Sequence, residues 1–388
     1  MRTEAIVRTR DDFLARHTPA IHGRIASLDG LRGISILLVL LGHTALSDGA
    51  PQRLAVFSHV GNIGVRVFFI ISGLLITTLL LKEWTKTGTI SIRQFYLRRV
   101  FRIFPAAYLL IGVIALLGAM GRVSLRPHEA FYASVFLMNY HDFRALHLGQ
   151  LWSLSVEEQF YLLWPGLLLL AGIRRGLRCA WAVVFLAPIL RACIFYGWHA
   201  SDTAMTKHFE TVADSLAMGC LIALQYNQLS ASERYRRLQA RPVIFFGLAL
   251  GLILLGNALF VVNRGIFYVF GQTLANIGTA LCIDWGIRNP DRPIGRFLNW
   301  KPLVFVGMLS YSLYLWQNPF LLGDSGTFWT TYPTNLAFAL IASLLSYFVV
   351  EKPFLVLKDH LSKTATRSIE LKPELQRPET EPARSTRA

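Results

Sequence analysis

Ten stretches of this chain are apolar over roughly the 20 residues that a helix needs to cross the hydrocarbon of a bilayer. They are 34–49, 62–81, 104–121, 151–172, 179–197, 209–227, 242–262, 266–287, 302–322 and 333–351. Runs of this length decide the fold class before any other feature. A backbone in lipid has to satisfy its polar groups within helices or a closed barrel, and long continuous apolar runs are a helix pattern. The sequence therefore predicts an all-α polytopic membrane protein of about ten transmembrane helices. The first run is short unless it starts at Leu28. The stretch 128–140 is apolar but too brief to span, which fits a re-entrant or interfacial helix.

The charge balance agrees. Only 16% of the residues are charged, against about 25% in soluble domains. The formal charge is +16, which a nucleic-acid binder would also show. Here the basic residues cluster between apolar runs, the pattern of anchors at a cytoplasmic membrane face, and no nucleic-acid partner is expected. With the N-terminus inside, the inner segments hold 31 of the 39 Lys and Arg residues and the outer loops hold six, Arg53, Arg122, Arg126, Arg144, Lys207 and Arg264. That bias puts both termini in the cytoplasm. The four cysteines lie in apolar runs without a C-x-x-C pair, so neither a disulfide nor a metal site is expected.

Residues 1–24 read as a cytoplasmic segment with no cleavable signal, 25–357 as the membrane domain, and 358–388 as a disordered cytoplasmic tail rich in Lys, Glu, Thr, Arg and Pro. No internal repeat stands out, which counts mildly against an inverted-repeat transporter.

Three motifs place ionisable groups in or beside these runs. Arg32 and His43 are 11 residues apart, close to three helical turns, so they share a face about 16 Å apart along the axis. With Arg32 at the interface, His43 is expected near mid-membrane. An ionisable group there usually faces a cavity, and an imidazole serves as a general base near neutral pH. The plainer reading is a histidine bonded to a neighbouring helix. Arg98, Arg99 and Arg102 precede the third run. Guanidinium groups bind phosphate in bidentate fashion, although positive-inside anchoring explains them as simply. Glu157 and Glu158 open the fourth run, with Ser153, Glu157 and Tyr161 on one face. Glu157 needs a partner; His43, Arg66 and Arg191 are the candidates, and a Glu157–His43 contact would orient the imidazole. Arg66 is a candidate oxyanion stabiliser and Asp284 reads as structural. Ser72 lacks the G-x-S-x-G elbow of an acyl-carrying serine. The polar tips between Ser310 and Asn318 suit the lining of a cavity for a polyhydroxyl acceptor, and aromatic packing accounts for them equally.

These residues, in order, resemble the acyltransferase-3 family of integral membrane O-acyltransferases. The resemblance rests on Leu28-Asp29-Gly30-Leu31-Arg32-Gly33 with His43, on Phe68 to Ile76 around Ser72-Gly73, and on Phe95 to Pro105 around Arg99 and Arg102. It continues through Trp152 to Leu162, Ser310 to Trp316 and Glu351-Lys352-Pro353-Phe354. That family modifies bacterial polysaccharides, lipopolysaccharide, Nod factors and some small molecules, and usually has ten spans. The resemblance implies His43 as the catalytic residue, Arg32 as its partner, Glu157 as the acid, and Arg99 and Arg102 as the donor-binding pair. It also implies a stand-alone form, without a fused extracytoplasmic esterase-like domain. Gln150 and Gln317 stand where many relatives carry histidine, and Thr211-Val212-Ala213 replaces a stretch that often holds arginine before the aspartate matching Asp214. Both departures bear on acceptor specificity.

The expected function is transfer of an acyl group, most simply acetyl, to a hydroxyl of an envelope carbohydrate or glycolipid, in the bacterial inner membrane. Acyl-CoA, as a co-substrate rather than a resident cofactor, docks its phosphates on Arg98, Arg99 and Arg102. Asp29, Arg66, Ser72, Trp152, Ser153, Tyr311 and Tyr314 are the expected substrate contacts. The rival class is a flippase for a lipid-linked sugar; a sensor or scaffold without chemistry comes third.

Overall fold

The computed structural model describes residues 26–141, 146–323, 326–358 and 360. The expected N-terminal segment, nearly all of the expected tail, and Arg144 lie outside these. Among the described residues there are helices and no strands, and each of the ten apolar stretches carries a long helix. They are α1 (Ala26–Thr44), α2 (Val60–Thr87), α3 (Ile92–Ala119), α4 (Leu151–Ala171), α5 (Ile173–Ala192), α6 (Phe209–Ala231), α7 (Pro242–Val262), α8 (Gln272–Arg288), α9 (Lys301–Leu321) and α10 (Thr334–Ser346).

Six helical segments, those containing α2, α3, α5, α7, α8 and α10, are long and apolar enough by length and composition to cross a membrane. The other four, α1, α4, α6 and α9, carry acids, amides and hydroxyls, among them Asp29, Glu157, Glu158, Asp214 and Gln317, which lower their hydropathy. These helices share the interior with α2, which is apolar and yet mostly buried. α7 and α10 present mostly outward-facing apolar side chains, among them Val243 and Val261. Such a surface suits lipid. The stretch 128–140 does not span: it forms a short helix, Glu129–Ser134, and a single tight turn, Met138–Tyr140.

α1 packs between α2 and α9, α2 also lies on α6, and α10 covers α9. Glycines set how closely these helices approach. A Cβ on Gly307 would lie 1.8 Å from the carbonyl oxygen of Asp29, and one on Gly30 would lie 1.9 Å from that of Leu298. The Asp29-Gly30 motif therefore works first as a close-packing surface against α9 and the short helix Pro293–Leu298 before it, as small residues do between membrane helices. Near the C-terminal end of α8, Asp284 is held by Arg288 at 2.7 Å and by the Tyr235 hydroxyl at 2.6 Å, in line with its structural reading.

Candidate active site

α1, α2, α3, α4 and α9 enclose a cavity of about 180 Å³ lined by Arg32, Ser72, Arg99, Arg102, Ser153, Glu157, Tyr161, Ser310, Tyr311 and Tyr314 among apolar residues. Arg99 and Arg102 enter from α3, one turn apart on one face. The Arg99 guanidinium lies over the rings of Phe95 and Tyr161, at 5.7 and 5.4 Å. Its Nε is buried without a partner. Arg32 enters from α1, within electrostatic range of Arg102, Asp29, Glu351 and Glu157. Glu351 is brought inward by a wide π turn at the end of α10, where it accepts a hydrogen bond from Ser312 at 2.7 Å. Three guanidinium groups therefore converge on one chamber with an otherwise largely apolar lining, offset by buried carboxylates.

Glu157 does not touch His43. Its two oxygens accept from the Ser72 hydroxyl at 2.6 Å and the Tyr161 hydroxyl at 3.1 Å. The other expected partners are engaged elsewhere. Arg191 pairs with Asp214 at 2.5 Å, both side chains fully buried, and Arg66 donates to Asn276 at 2.8 Å and to Gln272. The guanidinium beside Asp214 thus comes from α5, not from the residues just before it.

His43 lies in the last turn of α1, which ends at Thr44. Its Nδ1 is 2.6 Å from Oε1 of Gln317. The ring does not line the arginine cavity. Tyr314, in the cavity wall, stands one turn before Gln317 on α9. The Tyr314 hydroxyl donates to the Gln150 carbonyl at 3.0 Å and lies 2.6 Å from the Ser153 hydroxyl. Its ring meets Phe68 edge-on, with centroids 6.1 Å apart. Phe68 and Tyr314 both line the arginine cavity.

Four further residues depart from expectation. Arg98 points away from the cavity, because it sits about 100° around the helix from Arg99, and it pairs with Glu83 at 3.0 Å. Asp29 is absent from the cavity wall; its carbonyl packs on Gly307. Arg66 and Trp152 line a second cavity, of about 420 Å³. Helical geometry explains the division. Phe68 and Ser153 face the first cavity, and their chain neighbours Phe69 and Trp152 face the second, with their rings edge-on at 5.8 Å.

The sequence reading missed Gln317 as the partner of His43, although the residue was visible as a departure from histidine. It also missed Gln272 and Asn276. Amides inside an otherwise apolar run are the signal that points to them.

The profile of the acyltransferase-3 family, described as an acyltransferase domain, matches residues 25–351. Peptidoglycan O-acetyltransferase OatA of Listeria monocytogenes is 26% identical over 360 residues, covering 87% of this chain and 56% of that protein. YrhL of Bacillus subtilis, provisionally named a peptidoglycan O-acetyltransferase, is 27% identical over 365 residues, covering 87% of this chain and 56% of its own length. A provisionally named O-acetyltransferase of Staphylococcus aureus is 28% identical over 358 residues, covering 85% of this chain and 57% of that protein. The chain spans a little over half the length of these relatives. No solved structure matches it. With apolar helices suited to lipid, a buried polar interior, and a profile match over most of its length, the chain is a multi-pass membrane protein that belongs to the acyltransferase-3 family, whose chemistry is acyl transfer.

Proposed function

We propose that this protein moves an acetyl group from acetyl-CoA to a hydroxyl of an envelope carbohydrate or glycolipid, with His43 as general base. The observation that carries this reading is the convergence of Arg32, Arg99 and Arg102 on one cavity. A chamber with three guanidinium groups suits a donor rich in phosphate. The named activity of the relatives supports acetyl as the acyl group and makes peptidoglycan the first acceptor to try.

The reading takes all ten long helices as spans, with both termini cytoplasmic and the arginine cavity facing inward, in the bacterial inner membrane. The bias of Lys and Arg toward one set of segments supports that orientation. The donor phosphates rest on Arg99 and Arg102, and the pantetheine arm runs toward Tyr314. For the thioester to meet His43, the Phe68–Tyr314 contact has to part. With Gln317 accepting from Nδ1–H, the Nε2 lone pair is left free. It takes the acceptor hydroxyl proton as that oxygen attacks the thioester carbonyl. The tetrahedral intermediate then collapses, the C–S bond breaks, and CoA leaves as the thiolate, which recovers the proton from the imidazolium. Glu157 is a positioning residue here, holding Ser72 and Tyr161 against the arginines.

The test is CoA release by purified full-length protein given acetyl-CoA and envelope glycans. Turnover that disappears in a folded His43→Ala variant is the expected result. Transport of a lipid-linked sugar without CoA release replaces this reading with the flippase.

A further inference from the structure

The second cavity holds chemistry that the first does not use. Its lining includes His59 just before α2, Asn257 near the end of α7, and Asp202 at the start of the short helix Asp202–Lys207 that precedes α6. On the orientation given above, these lie on the extracytoplasmic side. Its walls are aromatic, with Trp152, Phe69, Phe260 and Tyr268 among them. The volume, about 420 Å³, falls in the range of small-molecule sites.

The floor has a charge without a counter-charge. Arg66 and Arg191 are within electrostatic range of each other and of Asp214, and the Asp214 carboxylate is ion-paired with Arg191. Among the described residues Arg66 is left with neutral acceptors only, the Asn276 and Gln272 oxygens. An ionised group in this setting normally has a partner or a function. At the rim, Asp202 is paired with Arg264 at 3.0 Å and adds no net charge.

Asn276 sharpens the point. Arg66 has donors and no acceptor, so the Asn276 amide must turn its oxygen to Arg66. That directs its NH₂ elsewhere, and the nitrogen has no hydrogen-bond partner although the residue is 1% exposed. The cavity therefore offers a cation and a spare donor side by side, and asks for acceptor atoms with negative charge.

We propose that this cavity is the acceptor subsite and that it binds a saccharide carrying an anionic substituent, a carboxylate or phosphate, on Arg66 and Asn276, with the sugar faces on Trp152 and Phe69. The assignment rests on the acetyl-transfer reading for its purpose but not for its measurement. The shared chemistry is an oxyanion on a polyhydroxyl body. Its two sources are an acidic sugar within the glycan and a phosphate that links the glycan to a lipid carrier.

The experiment is calorimetric titration of full-length protein in nanodiscs with a glucuronate-containing hyaluronan tetrasaccharide, with N-acetylglucosamine 1-phosphate, and with neutral chitotetraose. At least one anionic probe should bind about tenfold more tightly than chitotetraose, as a charge-assisted contact implies, and should weaken with salt. Whichever probe does so identifies the source of the anion. Asn276→Asp is the decisive variant, since it places a carboxylate against Arg66 at nearly unchanged volume. It should erase the anionic preference while the protein stays folded, and Arg66→Gln should do the same. Equal affinity for all three probes, no binding of any, or an anionic preference that survives Asn276→Asp overturns the proposal. Acetyl-CoA titrated in the same preparation separates the two readings. Its failure to bind removes the donor assignment and leaves the anionic-sugar result standing, and the converse holds as well.

Discussion

The imidazole of His43 is held by an amide: Nδ1 lies 2.6 Å from Oε1 of Gln317, one turn beyond Tyr314 in the wall of the arginine cavity. A carboxylate would stabilise the imidazolium; a neutral amide fixes the ring without adding charge. Replacing Gln317 by Leu should therefore lower kcat by roughly 10- to 100-fold, part of the 10²–10⁴ that a positioned base contributes, with KM for acetyl-CoA nearly unchanged. Steady-state CoA release measures both constants.

Arg99 and Arg98 are neighbours in sequence with different surroundings, one in the cavity wall and one paired with Glu83. Arg99→Ala should raise KM for acetyl-CoA by about tenfold or more. Arg99→Lys should restore little, because an ammonium lacks the planar fork that lies over Phe95 and Tyr161. Arg98→Ala should change the same constant by less than about twofold, the scale of a solvent-accessible ion pair. A large effect at Arg98 would move the donor phosphates out of the cavity described.

On the proposed path of the thioester, Tyr314 and Phe68 close the way from the arginine chamber to His43. Tyr314→Phe keeps the ring against Phe68 and removes the bonds to Ser153 and the Gln150 carbonyl. With the closure loosened, hydrolysis of acetyl-CoA in the absence of acceptor should rise relative to transfer. The ratio of CoA released to acceptor acetylated reads this directly.

Two substitutions test the frame instead of the chemistry. Gly307→Ala forces a Cβ against the Asp29 carbonyl oxygen and should destabilise by about 1–3 kcal/mol. Asp214→Asn leaves the buried Arg191 guanidinium without its counter-charge and should cost about 3–5 kcal/mol. Thermal unfolding in detergent, followed by tryptophan fluorescence, should show the larger loss for Asp214→Asn.

The sequence by itself determined the positions of the ten long helices and the identities of Arg32, Arg99, Arg102, Glu157 and His43. Apolar run length and helical spacing are local properties, and an ionisable residue in an apolar run is conspicuous. It also singled out Gln150, Gln317 and Asp214. What it did not determine was partnership. Two neighbours on a helix point about 100° apart, so Phe68 and Phe69, or Trp152 and Ser153, belong to different cavities once other helices stand opposite them. Only the tertiary packing gave Glu157 to Ser72 and Tyr161, His43 to Gln317, and Arg191 to Asp214, and turned Arg98 out of the site. Each of these follows from which helix lies across the gap, set by close contacts such as Gly307 on Asp29, and no pattern along a single helix encodes that.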